Sequence, residues 1–201
     1  DGVVNIVPGY GETAGAALAS HPDIDKIAFT GSTEVGKLVA KAAADNLTKV
    51  SLELGGKAPN IVFADADMEQ AVNGAMMGIF FNQGQVCCAG SRLFLDARVK
   101  DEFLDRFKEK SARVKVGDPM DKSTQMGPQV SEEQLNRIKG YVDIAKGEGA
   151  QVLAGGCPPQ LEGDFQKGFF FQPTIFGDVK NEMRVAQEEI FGPVVSVITF
   201  D

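Results

Sequence analysis

Lys26-Ile27-Ala28-Phe29-Thr30-Gly31-Ser32-Thr33-Glu34-Val35-Gly36, continuing through a helical pattern to Lys49-Val50-Ser51-Leu52-Glu53-Leu54, decides the fold. Lys26 to Thr30 is a short apolar run that reads as a strand. Gly31-Ser32-Thr33 breaks it, and Val35, Leu38, Val39, Ala42 and Ala43 then recur with the 3.6-residue period of a helix. A second strand follows over Lys49 to Leu54. Strand, helix and strand in this order predict parallel pairing, because a parallel connection needs the length of a crossover helix. Upstream, Val3 to Val7 reads as a further strand, Pro8 to Gly11 as a turn and Thr13 to Ser20 as a small helix.

Gly55-Gly56 interrupts the pattern, and a second unit opens with a strand over Asn60 to Phe63. A long helix capped by Asp65 or Asp67 comes next; Met68, Ala71, Val72, Ala75, Met76, Ile79 and Phe80 form its apolar stripe. After a glycine-bracketed loop from Gly84 to Gly90, Arg92 to Leu95 reads as a strand. Val99 to about Val114 reads as a charged amphipathic helix with Phe103, Leu104 and Phe107 inward. Residues 117–130 read as an irregular loop. Ser131-Glu132-Glu133-Gln134 fits a capping box ahead of a helix carrying Leu135, Ile138, Val142 and Ala145. Gln151 to Leu153 is a short strand and 155–168 a surface excursion; Phe169 to Phe176 and Val194 to Phe200 are extended.

Composition narrows the function. The 201 residues are 43% hydrophobic and 24% charged, with a net charge of -8. A phosphate backbone needs concentrated basic surface, so this acidity argues against a nucleic-acid partner. No apolar run reaches the roughly 18 residues of a spanning helix, and no basic stretch precedes a hydrophobic block, so no membrane partner is expected. Three cysteines and the single histidine, His21, supply neither a disulfide framework nor a metal site, which suits a reducing, cytoplasmic compartment. The chain opens on Asp1 and stops directly after an apolar run, so it reads as a piece of a longer protein.

Three features could carry chemistry. Glu53 places a carboxylate near the carboxyl end of a strand, where open α/β sheets bind ligands, although an edge-strand acid facing water reads equally well. The loop Asn82-Gln83-Gly84-Gln85-Val86-Cys87-Cys88-Ala89-Gly90 presents two thiols; free cysteine is commonly inert, but a buried structural one would sit on the apolar stripe. Gly31-Ser32-Thr33-Glu34-Val35-Gly36 opens a helix whose free amides could bind an anion, or else Ser32 or Thr33 simply caps it.

Taken in order, Phe29-Thr30-Gly31-Ser32-Thr33-Glu34-Val35-Gly36, Leu52-Glu53-Leu54-Gly55-Gly56-Lys57, Gly84-Gln85-Val86-Cys87 and Glu188-Glu189-Ile190-Phe191-Gly192-Pro193 resemble the signature of the NAD(P)-dependent aldehyde dehydrogenase superfamily. The resemblance spans the chain and looks closest to the broad-specificity hydrolytic class. It implies an α/β fold in which a parallel-sheet, Rossmann-like coenzyme half-domain, residues 1–55, joins an α/β catalytic domain, residues 56–201, both incomplete. It implies oxidation of a small-molecule aldehyde to a carboxylic acid, with Cys87 as nucleophile and Glu53 activating the water that cleaves the thioester. Cys88 is then a spectator.

The implied cofactor is NAD, with NADP not excluded. Gly31 and Ser32 would sit by its pyrophosphate, with Thr33, Glu34, Val35 and Gly36 completing the binding stretch. Gly11 and Gly15 would approach the adenine, and Leu54 and Gly55 would line the nicotinamide. Glu189, Phe191 and Gln134 would meet the nicotinamide ribose. On its own Glu189 reads as a solvated charge, and the capping box already accounts for Gln134. The family's oxyanion-hole asparagine and adenosine-ribose contacts have no counterpart in these residues, which implies that the chain alone is inactive; the resemblance also implies that the full-length protein forms homo-oligomers. Two other readings use the same residues: a non-catalytic binding module of this fold, and a cofactor-independent esterase or thioesterase.

Overall fold

Ser32 is where the first strand becomes a helix. In the computed structural model, which describes residues 2–201, its Oγ accepts a hydrogen bond from the Val35 amide at 3.2 Å and caps the helix that follows. A π-helical turn over Gly11–Gly15 leads into the short helix α1 (Ala16–Ala19). Strand β1 (Lys26–Gly31), helix α2 (Thr33–Asp45) and strand β2 (Lys49–Leu54) follow, and β1 and β2 pair in parallel from Lys26 opposite Lys49 to Gly31 opposite Leu54. Helix and sheet approach closely at Gly36, where a Cβ would stand 2.5 Å from Leu54 Cδ2. These elements form one compact unit ending at Gly55; Gly56 to Asp201 form a second.

The strand expected over Val3 to Val7 is absent. Val3, Val4 and Ile6 are 92%, 84% and 89% exposed, and among the described residues no strand pairs with them. An apolar run becomes a strand only when a neighbour supplies the ladder of hydrogen bonds.

The second unit is a five-stranded sheet between two helical layers. In chain order its elements are β3 (Pro59–Val62), α3 (Met68–Phe80), β4 (Arg92–Asp96), α4 (Lys100–Ala112), α5 (Glu132–Gly147), β5 (Gln151–Ala154), β6 (Thr174–Gly177), α6 (Arg184–Gln187) and β7 (Val194–Phe200). The strand order is β3-β4-β7-β6-β5, parallel except for β5, which runs antiparallel to β6. Alternation along the strands sends side chains to separate cores. Leu93, Leu95, Val195 and Val197 meet α3 and α4, whose Phe80 and Phe107 stack with ring centroids 5.9 Å apart. Phe176, Val194 and Ile198 meet α5 and α6 through Leu135, Ile138, Val142 and Val185.

The helix starts follow their caps. Asp67 Oδ1 accepts from the Gln70 amide at 2.9 Å, and Ser131 Oγ from the Gln134 amide at 3.1 Å. The capping box is only half made, because the Gln134 side chain bonds elsewhere. Of the extended segment Phe169 to Phe176, only Thr174 onward is strand. Pro173 has no amide to donate to a ladder, and Phe170 and Phe171 are buried in place of pairing.

Phe107 is fully buried where α4 meets α3, whereas Leu38 on α2 is 59% exposed. Phe107→Ala should cost about 3–5 kcal/mol of unfolding free energy, and Leu38→Ala no more than about 0.5 kcal/mol. Denaturant titration of the two variants checks the contrast, and equal losses would contradict this assignment of the core.

Candidate active site

Helix α3 is followed by a loop of reversed handedness. Asn82, Gln83 and Gly84 have φ of 49°, 56° and 71°, three successive left-handed residues. Such backbone costs about 1 kcal/mol or more for each residue bearing a Cβ, so it persists only where its surroundings enforce it. Here the Gln85 amide donates to the Asn82 carbonyl and Asn82 Nδ2 to the Gln85 carbonyl, both at 3.0 Å. Gln85 Oε1 accepts from the Val130 amide at 3.0 Å. Gly84 has no alternative: a Cβ there would lie 2.1 Å from the Gly192 carbonyl oxygen.

The turn that follows carries Cys87 and Cys88, both free and exposed. The Ala89 amide closes it on the Val86 carbonyl at 3.1 Å, and Gly90 returns it to α3 through the Gly78 carbonyl at 2.9 Å. Among the described residues the Cys87 amide has no hydrogen-bond partner. The backbone at Gly56 runs beside this turn, where a Cβ would be 3.2 Å from the Cys87 carbonyl oxygen.

Glu189 and Phe191 reach the same place from the other side of the sequence. Glu189 Oε1 accepts from the Gly56 amide at 3.1 Å. Gly56, Gly84, Ser91, Glu189, Phe191 and Gly192 line a narrow crevice of about 10 Å³. Gln134 Nε2, free of the capping box, donates to the carbonyls of Ile190 at 2.9 Å and Phe191 at 2.7 Å. Cys87, Gly56, Glu189 and Phe191 therefore form one cluster in the second unit, with Gln134 bonded to its rim.

Lys57 is a member that sequence reasoning missed. The residue as a whole is half-buried, but its Nζ is shut off from solvent and without a hydrogen-bond partner among the described residues. Burial, reinforced by the Arg92 guanidinium, pushes its ammonium down to about 8, while the Glu189 carboxylate pulls it partly back. Arg92 Nε in turn donates to the Lys57 carbonyl at 2.9 Å. The available signal was a lysine placed directly between a double glycine and a core strand.

In the first unit, Gly31 ends β1, Ser32 caps α2, and the amides of Thr33 and Glu34 have no partner among the described residues. A 13-residue helix with free amides at its N-terminus suits an anion, although the Glu34 carboxylate in the same turn opposes one. Val35 and Gly36 complete that turn. Glu53 is exposed near the carboxyl end of β2, opposite Thr30, and Leu54 lies opposite Gly31, followed by Gly55. At Gly11 and Gly15 a Cβ would meet nothing within 4 Å, so packing inside the unit does not require glycine at either position. Glu53 belongs to the first unit and Cys87 to the second.

Known proteins share this fold. The model of the aldehyde dehydrogenase family matches residues 1–201. The mitochondrial aldehyde dehydrogenase of Homo sapiens is 54% identical over 200 residues, covering 99% of this chain and 38% of its own length. Retinal dehydrogenase 2 of Rattus norvegicus is also 54% identical, with the same coverage. An aldehyde dehydrogenase of Bacillus cereus, solved as its NAD+ complex, superposes with a TM-score of 0.92 at 49% identity, covering 97% of this chain and 39% of that one. The chain thus spans about two-fifths of the length of the curated relatives it matches.

The Lys57 environment carries a pH signature. An unfolded lysine titrates near 10.5 and the folded one near 8, so between these values the unfolded chain binds the proton and the folded chain does not. Stability from this group therefore rises with pH across that window, and below it the full penalty of a buried, unpaired charge applies. Lys57→Met should stabilise the fold at neutral pH by up to ~3 kcal/mol, a gain that disappears above the window. Unfolding titrations of both proteins on either side of the window test this, and a pH-independent difference would refute it.

Proposed function

The chain belongs to the aldehyde dehydrogenase family, and on that premise we propose that it carries the covalent chemistry of an NAD(P)-dependent enzyme oxidising aldehydes to free carboxylic acids. The observation supporting this most directly is the exposed Cys87, whose amide has no partner among the described residues, with the Gly56 backbone beside it and the Glu189 carboxylate bonded to the Gly56 amide.

An aldehyde has no leaving group but hydride, and hydride leaves readily only from a tetrahedral alkoxide. The Cys87 thiolate forms that centre by bonding to the carbonyl carbon, while the carbonyl π pair moves to oxygen. In this reading the Cys87 amide, without a partner among the described residues, stabilises the oxyanion. NAD, present in the Bacillus cereus relative, supplies the hydride acceptor when bound, and NADP would supply the same chemistry. Loss of hydride leaves a thioester on Cys87. Glu53 takes a proton from the attacking water, the C–S bond breaks, and Cys87 returns to thiolate as the carboxylic acid departs.

The residues suit a dinucleotide in several places. The unpartnered amides of Thr33 and Glu34, next to Gly31 and Ser32, fit a pyrophosphate, with Val35 and Gly36 continuing the turn. Gly11 and Gly15, not required by internal packing, leave room for the adenine. Leu54 and Gly55 line the nicotinamide. Glu189 accepts from the ribose hydroxyls with Phe191 packed alongside, and Gln134, its amide nitrogen already committed, offers Oε1 to the same sugar.

Glu53 favours hydrolysis over transfer of the acyl group to a thiol acceptor. The substrate is proposed to be a simple aliphatic or retinal-type aldehyde, the full-length protein a homo-oligomer, and the 201-residue chain inactive alone. No helix of the described residues is long and apolar enough to cross a membrane. Three free, exposed thiols suit a reducing compartment, and the cytoplasm is the one proposed, although the human relative is mitochondrial by name.

In the full-length protein, Cys87→Ser should abolish NAD reduction, whereas Cys88→Ser should leave it within about 3-fold of the parent. Glu53→Gln should form an acyl-enzyme that persists, visible as added mass on the intact protein. NAD reduction by Cys87→Ser at the parent rate would overturn the assignment.

A further inference from the structure

The segment from Arg184 to Phe191 is gripped along one face of α5. Starting from the far end of the helix, Glu148 Oε2 accepts from the Arg184 amide at 2.9 Å. Tyr141 donates its hydroxyl to Glu188 Oε2 at 2.8 Å, and Arg137 donates to the Glu189 carbonyl at 2.6 Å. Gln134 then holds the carbonyls of Ile190 and Phe191. Residues 148, 141, 137 and 134 share a helical face, and they meet the segment in reverse chain order, so the two run antiparallel.

Tyr141 is the least exposed of these four donors and acceptors, at 8%. Its acceptor is itself fixed, because Arg184 grips both Glu188 oxygens at 2.8 and 2.9 Å. Hydrogen bonds from Arg184 and Tyr141 draw the Glu188 carboxyl down to about 2, so it is ionised at neutral pH. Burial and the bond to Glu188 push the Tyr141 phenol above its ordinary value, so it remains a donor. The Arg137 guanidinium lies 5.4 Å from the Tyr141 ring centroid. Phenylalanine would fill the same space, so packing alone does not require the hydroxyl.

The residue after Glu188 is the one whose carboxylate reaches the Gly56 amide. Fixing Glu188 fixes the backbone immediately before Glu189, while Arg137 and Gln134 fix it at and after that residue. We propose that Tyr141 is a positioning residue for the cofactor, its hydroxyl locking Glu188 so that the Glu189 carboxylate is already aimed when the nicotinamide ribose arrives. This rests on the reading in which Glu189 binds that ribose.

The test uses the full-length protein and calorimetric titration with NAD+. Tyr141→Phe should raise the Kd by about 10-fold, with kcat at saturating NAD+ within about 2-fold of the parent. Glu188→Gln, which retains the shape, should act in the same direction. Without NAD+, amide hydrogen exchange over residues 188–191 should quicken in both variants. In a Glu189→Ala background, Tyr141→Phe should have no further effect on Kd, whereas a merely structural loss would weaken binding in both backgrounds. An unchanged Kd in Tyr141→Phe, with a raised one in Glu189→Ala, overturns the proposal alone. An unchanged Kd in Glu189→Ala removes the ribose reading and the proposal with it.

Discussion

The carbonyl oxygen of Gly192 occupies the space in which any side chain at residue 84 would begin. On its other flank, a Cβ at Gly192 would lie 2.5 Å from Ile138 Cδ1 on α5. Two glycines thus let the start of the thiol loop pass the strand entry after Phe191 backbone against backbone, and let that entry seat directly on the Ile138 side chain of α5. The contact brings the segments that carry Cys87 and Glu189, far apart in sequence, to the same end of the parallel strands β4 and β7. It also explains why the loop accepts left-handed backbone at Asn82 and Gln83, where Asn82 Nδ2 and Gln85 Oε1 supply compensating hydrogen bonds.

The sheet keeps two kinds of packing apart. The thiol loop leaves a helix rooted in the core of α3 and α4, and the acidic segment leaves one rooted in the core of α5 and α6. Because β4, β6 and β7 contribute to both cores in alternation, the loops rest on layers that share strands but not side chains. The resulting site is built on rigid elements, while its own residues remain partly open to solvent.

What was legible in the sequence was local. Ser32, Asp67 and Ser131 announce their helices because a cap bonds three residues onward. The α3 stripe is legible because burial there repeats with the helix. The cysteine loop, Glu53 and the Glu189-Phe191 pair were legible through resemblance to the aldehyde dehydrogenases rather than through periodicity. Illegible features depend on partners distant in the chain. Val3 to Val7 has strand composition, but among the described residues no strand pairs with it. Gln134 sits in a well-formed capping box, yet its amide is drawn to carbonyls on Ile190 and Phe191. The Lys57 amine is set by burial and by the charges of Arg92 and Glu189, which lie in separate later segments.

Strand β7 begins directly after Pro193 and is flanked by β4 on one side and β6 on the other, so the Glu189–Phe191 segment hangs from the middle of the sheet. Central strands are the last part of such a layer to open, since fraying starts at edges. The segment is therefore an anvil rather than a hinge: it keeps its place while its surroundings yield, and slow motions are to be sought in other parts of the protein.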